Sequence, residues 1–272
     1  MQMIFFITGL PRAGSTLLGA LLNQNSACAA GMSSPVFSLV NALMNRLSNA
    51  NEFNAFIDNA QRKRILRGLF ESYYADQCDK VIFDTNRYWT PKVNLLLKLF
   101  PETKFVCLVR PLAEIVQSFE RVFAINPMQL SQLVNYDPDS TIYSRTDQLM
   151  VGSGLVGGPL NGLKEAFYGP HSARLMLVSY RNLTSNPQRV LDAIYAFTGA
   201  PRYDHDINTI SFNGEAYDAN LGVSGLHRLR PQVSHKPTPL TLPPDLIARI
   251  SGPYFWENPN EPSKADTKLA RG

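Results

Sequence analysis

The chain has 272 residues, 44% hydrophobic and 18% charged, enough for one large domain or two small ones with a substantial core, and not a disordered chain. Lys and Arg outnumber Asp and Glu by 26 to 22, a net charge of +4; so mild a surplus fits an anionic ligand and does not by itself argue for nucleic acid. Cys28, Cys78 and Cys107 lie far apart and the four histidines are scattered, so neither a disulfide framework nor a metal site is expected.

The apolar start Ile4-Phe5-Phe6-Ile7 is too short to span a bilayer and lacks the basic flank and cleavage site of a signal peptide. It reads as a buried strand of a cytoplasmic protein with no membrane partner. Met3–Thr8, Lys80–Asp84, Lys104–Val109 and Arg174–Ser179 are nearly continuous apolar runs, the pattern of strands buried on both faces of a parallel sheet. Ala27–Met32 is a weaker fifth candidate. Helical patterns fall between them at Ser15–Asn23, Phe37–Ser48, Phe53–Gln77, Pro91–Phe100, Ala113–Phe123 and Pro187–Phe197. The last has Asn186 as N-cap, Pro187 in its first turn and Gly199 just past its end. This alternation predicts an α/β fold of three layers, a central parallel sheet of about five strands with helices on both faces. Asn126–Gly158 is expected to be a loop-bearing insertion with a short helix. Residues 1–257 then make a single domain with helical and loop insertions, and 258–272, polar and Pro-containing, a flexible C-terminal tail.

Between the first strand and its helix stands Gly9-Leu10-Pro11-Arg12-Ala13-Gly14-Ser15-Thr16. Two glycines five residues apart let the backbone wrap an anion, and the following helix offers free N–H groups and the positive end of its dipole. The layout is P-loop-like, except that Ser15 stands where a nucleotide triphosphatase carries its Lys. The positive charge sits instead on Arg12, whose planar guanidinium can grip two oxygens at once. A second glycine pattern, Gly152-Ser153-Gly154-Leu155-Val156-Gly157, has no strand before it and no acid about 20 residues on, so it reads as a loop rather than a dinucleotide site.

The strand Phe105–Val109 runs into Arg110-Pro111, and Ser118 follows eight residues after Arg110. Ligands gather at the carboxyl ends of parallel strands, so Arg110 belongs on the same edge as the glycine loop, unless it merely pairs with Glu114 or Glu120. The run Arg62-Lys63-Arg64 with Arg67 reads as a solvated helix face.

Together these segments resemble the sulfotransferases that use 3′-phosphoadenosine 5′-phosphosulfate (PAPS). Gly9–Thr16 with Leu17-Leu18 is similar to that family's 5′-phosphosulfate loop, closest to the tyrosylprotein and bacterial branches. Val109-Arg110 with Ser118 resembles its 3′-phosphate motif. Leu177–Leu183, with Asn186-Pro187 and Phe197-Thr198-Gly199, resembles its Tyr-containing strand and next helix, and Leu226–Lys236 is a weak echo of its basic cofactor-covering segment. The resemblance implies cofactor contacts from Gly9, Pro11, Arg12, Ala13, Gly14, Ser15, Thr16, Arg110, Ser118, Tyr180 and Lys236. It also implies adenosine 3′,5′-bisphosphate as product, no metal, and a small-molecule or peptide acceptor rather than nucleic acid.

Sulfuryl transfer moves a singly charged group, so Arg12 and hydrogen-bond donors at the leaving phosphate carry the catalysis by positioning and charge stabilisation. The acceptor hydroxyl or amine still needs a base. Related enzymes have a Glu or a His where this sequence has Ala30–Pro35 and Asn86. Asp84, closing a central strand, is the expected substitute, unless it caps the next turn or pairs with an arginine. His227 and His235 are runners-up, and Arg87 is a further candidate for the acceptor pocket. A small-molecule kinase and a catalytically silent nucleotide-binding module are the rival readings. Oligomeric state and acceptor identity are not encoded in any motif.

Overall fold

The computed structural model describes residues 3–48, 52–125, 133, 135, 137–220, 223 and 225–271. From the start, β1 (Ile4–Gly9) leads into α1 (Ser15–Leu22) and the short β2 (Cys28–Ala30). Next come α2 (Val36–Ser48), α3 (Asn59–Tyr73), β3 (Val81–Thr85), α4 (Val93–Leu99), β4 (Phe105–Val109) and α5 (Leu112–Ile125). They are followed by α6 (Ile142–Met150), α7 (Gly157–Tyr168), β5 (Leu175–Ser179), α8 (Tyr180–Ser185) and α9 (Pro187–Thr198). The last are α10 (Glu215–Asn220), α11 (Pro244–Ile250) and β6 (Asp266–Leu269).

The sheet has six strands in the order β2-β3-β1-β4-β5-β6, and every neighbouring pair is parallel. Every residue of β1, β3, β4 and β5 is buried, because helices cover both faces and no side of these strands meets water. The chain leaves β1 for β2 and β3 on one side, then crosses to β4 and β5 on the other. That reversal opens a crevice at the carboxyl end of β1. Beneath it, Phe6 stacks on Phe105 at 5.5 Å between ring centres and meets Trp89 edge-on at 5.2 Å, a dry aromatic plug that fixes the base of the crevice.

Three expectations need correction. The sheet has six strands, because the segment read as part of a flexible tail contributes β6. Thr267 and Leu269 face inward and Asp266 and Lys268 outward, an edge-strand alternation too brief to stand out beside Pro259 and Pro262. The side chain of Asn182 ties it down by donating to the carbonyls of Leu269 (2.9 Å) and Arg271 (3.0 Å). The expected helix Phe53–Gln77 is interrupted. Asp58 accepts from Gln61 N–H at 2.6 Å while Gln61 Oε1 accepts from Asp58 N–H at 2.7 Å, a reciprocal cap that starts α3 afresh. The insertion holds its expected short helix, α6, and the first two residues of α7, with residues 126–132, 134 and 136 outside the described set. The second glycine pattern is the α6–α7 connector. Around α9, Pro187 and Gly199 sit as expected, Gly199 at φ +79, whereas Asn186 makes no side-chain cap.

If β6 belongs to the cooperative unit, Leu269→Ala should cost about 2–3 kcal/mol. Thermal melting should then show a midpoint lower by about 4–10 °C; an unchanged midpoint would show that β6 unfolds independently.

Candidate active site

The loop after β1 owes its shape to three left-handed residues. Gly9 has φ +106, and a Cβ there would lie 2.2 Å from the carbonyl oxygen of Leu108 on β4; no other residue fits. Leu10 N–H donates to that same oxygen at 2.8 Å. Arg12 adopts φ 57, a conformation costing a non-glycine residue about 1–2 kcal/mol. Gly14, φ +99, then begins α1, where no side chain caps the helix and no acidic residue occupies its first turn. The N–H groups and the dipole of that terminus are left for an anion.

The loop forms one wall of a cavity of about 360 Å³ along the carboxyl edge of the sheet. Of the residues picked from sequence, Gly9, Pro11, Arg12, Gly14, Ser15 and Thr16 line it, as do Arg110, Ser118, Tyr180 and Lys236. Ala13 turns fully into the core and can offer only its backbone. A second hollow of about 430 Å³ shares Arg110, Tyr180 and Lys236 with the first and continues past β5 toward Ala270.

The two anion motifs, about a hundred residues apart in sequence, touch. Arg12 Nε donates to Ser118 Oγ at 3.0 Å, and its Nη1 donates to the carbonyl of Leu226. Arg110 Nη1 donates to the carbonyl oxygen of Arg12 at 3.0 Å. The same guanidinium lies 4.2 Å from the centre of the Tyr180 ring and pairs with Glu114 at 2.9 Å. The Glu114 alternative is thus realised together with the cluster, whereas Glu120 pairs with Arg145. Burial, and then the charge of Arg110, hold the Arg12 guanidinium down to about 10, still charged at neutral pH.

Asp84 is not placed to be the base. It is 1% exposed, is absent from the cavity wall, and accepts from Trp89 Nε1 (2.6 Å), Ser34 Oγ (2.7 Å) and Tyr74 Oη (2.5 Å). Burial pushes its carboxyl up from the usual range and the three donors pull it back. It ties α3 and the segments after β2 and β3 together. The wall carries His227 instead. Its Nδ1 lies 2.5 Å from Asp218 Oδ1, and its backbone N–H donates to Asp218 Oδ2 at 2.8 Å. With Asp218 accepting, the neutral ring holds its proton on Nδ1 and leaves Nε2 basic. Burial, Arg12 and Arg87 push the imidazole below its ordinary 6.5 against the pull of Asp218. The sequence ranked His227 second and missed Asp218. An Asp and a His nine positions apart in sequence carry no periodic signal. His235 faces the second hollow, where its Nδ1 meets Thr184 Oγ1 at 3.0 Å.

Among the described residues, Arg12, Arg87, Arg110, Arg121, Arg228, Arg230 and Lys236 line the first cavity, and no Asp or Glu does. Such a wall, with an uncapped helix terminus and the orphaned, 3% exposed Thr8 Oγ1, fits a polyanionic ligand.

Fold and site together define an α/β protein with a cation-lined cavity at the ends of its parallel strands. The chain belongs to the sulfotransferase family: that family's profile, described as "Sulfotransferase family", matches residues 5–205. Among solved structures, the sulfotransferase domain from the curacin biosynthetic pathway shares the fold, with TM-score 0.59 at 16% identity over 92% of this chain and 97% of that one. The sulfotransferase domain of the Synechococcus PCC 7002 olefin synthase aligns with TM-score 0.45 at 18% identity, over 75% of this chain and 74% of that one. Mouse sulfotransferase SULT7A1 complexed with PAP gives TM-score 0.46 at 14% identity, over 75% and 59%. No curated protein matches the sequence. Among the described residues no helix is long and apolar enough to cross a membrane.

Asp84→Asn leaves one oxygen and an amide facing three donors, and should destabilise the fold by about 2–4 kcal/mol. Denaturant unfolding checks this. A variant as stable as the parent yet inactive would return Asp84 to the chemistry.

Proposed function

We propose that the chain transfers the sulfuryl group of PAPS to a hydroxyl or amine of a small-molecule or peptide acceptor, without a metal, and that His227 rather than Asp84 is the base. The observation that carries this is the direct contact of Arg12, Ser118 and Arg110 beneath the uncapped end of α1, in the same cavity as the His227–Asp218 pair. The neighbouring hollow past β5 gives an extended nucleotide room to continue.

PAPS, when bound, supplies the activated sulfuryl group. The N–H groups of Gly14, Ser15 and Thr16 and the Arg12 guanidinium are the donors for its phosphosulfate end, and Arg110 with Ser118 for its 3′-phosphate. For this, the side chain of Arg12 exchanges its hold on Ser118 and Leu226 for the ligand. Tyr180 backs Arg110 by cation–π contact, and Lys236, exposed at the cavity wall, is free to cover the site. His227, neutral at neutral pH, accepts the acceptor's proton at Nε2 while Asp218 stabilises the imidazolium that results. The leaving phosphate gains charge beside Arg12, where a preorganised cation acts most strongly.

Ser15 in place of Lys weighs against the kinase reading, and the pair of half-buried His227 with buried Asp218 against a silent module. Cys78 is exposed and unpaired, which suits a reducing, cytoplasmic setting.

Calorimetric titration should show adenosine 3′,5′-bisphosphate binding tightly with or without Mg²⁺, and well above adenosine 5′-monophosphate or ATP; preference for ATP with Mg²⁺ would favour the kinase. Arg110→Ala should cost the bisphosphate about 2–3 kcal/mol and the monophosphate little.

Because the imidazole titrates below 6.5, turnover should hold through neutral pH and fall only on the acid side as the ring protonates. His227→Asn should lower kcat by about 10²–10⁴-fold and remove that acid limb. An intact acid limb in the variant would assign the base elsewhere.

A further inference from the structure

The cations of the first cavity divide between its two ends. Arg12 follows β1 and Arg110 follows β4, and both belong to the anion cluster. Arg87 follows β3, on the opposite side of β1 from β4 in the sheet order, so a nucleotide held by Arg110 and Tyr180 extends away from it. Arg121, Arg228 and Arg230 are exposed, whereas Arg87 is only half-exposed. Among the described residues no carboxylate lies within ion-pair distance of Arg87. Its guanidinium lies 5.5 Å from the centre of the Tyr88 ring, which supports the cation without neutralising it. From the neighbouring strand ends the same cavity is lined by the neutral Ser33 and by Thr85, whose hydroxyl donates to the Gly31 carbonyl at 2.9 Å, and His227 lines it too. The charge of Arg87 is felt at the His227 imidazole.

A half-buried cation left unmatched in the protein is costly unless a ligand matches it. We propose that Arg87 is a specificity-determining residue that binds a carboxylate on the acceptor, placed so that the acceptor's hydroxyl reaches Nε2 of His227. One guanidinium among neutral side chains suits a planar monoanion, which it can grip bidentately; a phosphate dianion would call for a second cation at this end. The acceptor class is therefore a hydroxy acid, or a peptide presenting a carboxylate beside its hydroxyl. The inference rests on the sulfotransferase reading of the same cavity.

The test uses the whole protein loaded with adenosine 3′,5′-bisphosphate, whose binding is measured first. The loaded protein is then titrated with 4-hydroxyphenylacetate against 4-hydroxyphenylacetamide, 3-hydroxyoctanoate against its amide, and 4-hydroxybenzylphosphonate. At least one carboxylate should bind about tenfold or more tightly than its amide, as a charge-assisted hydrogen bond implies. Arg87→Gln should erase that preference and Arg87→Lys keep part of it, with bisphosphate affinity unchanged in both. Equal binding of acid and amide, no binding of either series, or a preference that survives Arg87→Gln overturns the assignment while leaving the cofactor reading intact. Stronger binding of the phosphonate overturns the carboxylate in favour of a phosphate ester. Failure of the bisphosphate to bind overturns the cofactor reading, and this inference with it.

Discussion

The site depends on one close approach. Where β1 ends, the chain must pass against the carbonyl of Leu108 on β4, and only a residue without a Cβ in the left-handed region allows it. Gly9 meets that condition, and two consequences follow. The loop is turned directly over the end of α1, so the helix terminus faces the crevice. The backbone of Arg12 is also brought to the start of α5, where Arg110 donates to its carbonyl and Ser118 accepts from its side chain. Parallel strands place all their carboxyl ends on one edge; the Gly9 contact turns that shared edge into a shared site.

Cations so close together repel, and the structure absorbs the repulsion locally rather than by pairing every charge. Arg110 is shared between Glu114, the Tyr180 face and a backbone carbonyl. Arg12 leans on neutral oxygens and pays in a lowered proton affinity. No carboxylate among the described residues enters the wall of the first cavity to cancel the field. Burial first, and then Arg12 and Arg87, lower the proton affinity of His227 against the pull of Asp218, which behind the ring fixes which nitrogen carries the proton. The same arginines thus make the cavity wall positive and add to the effect of burial on the imidazole.

Asp84 shows how a strand-end carboxylate can mislead. From sequence it stands at the end of a central strand, where chemistry collects. In the fold its side chain turns inward, beside the Phe6–Trp89 contact, and three donors converge on it. Strand alternation puts neighbouring side chains on opposite faces, but in a sheet buried on both faces neither direction is marked by hydrophobicity. The residues that do reach the cavity from this strand end are Thr85 and Arg87.

Local structure is what the sequence determined by itself: buried strands from their apolar runs, the tight loop after β1 from the placement of Gly9 and Gly14, and the bounds of α9 from Pro187 and Gly199. Each depends on residues close together in the chain, so spacing and residue type suffice. The tertiary structure decided everything that needs two distant segments to meet. It joined Arg12 to Ser118, turned Asp84 away from the cavity, faced His227 with Asp218 into it, and added β6 to the edge of β5. Those outcomes depend on which surfaces pack against which, and a short polar strand or a loop histidine carries no periodic pattern that announces its partner.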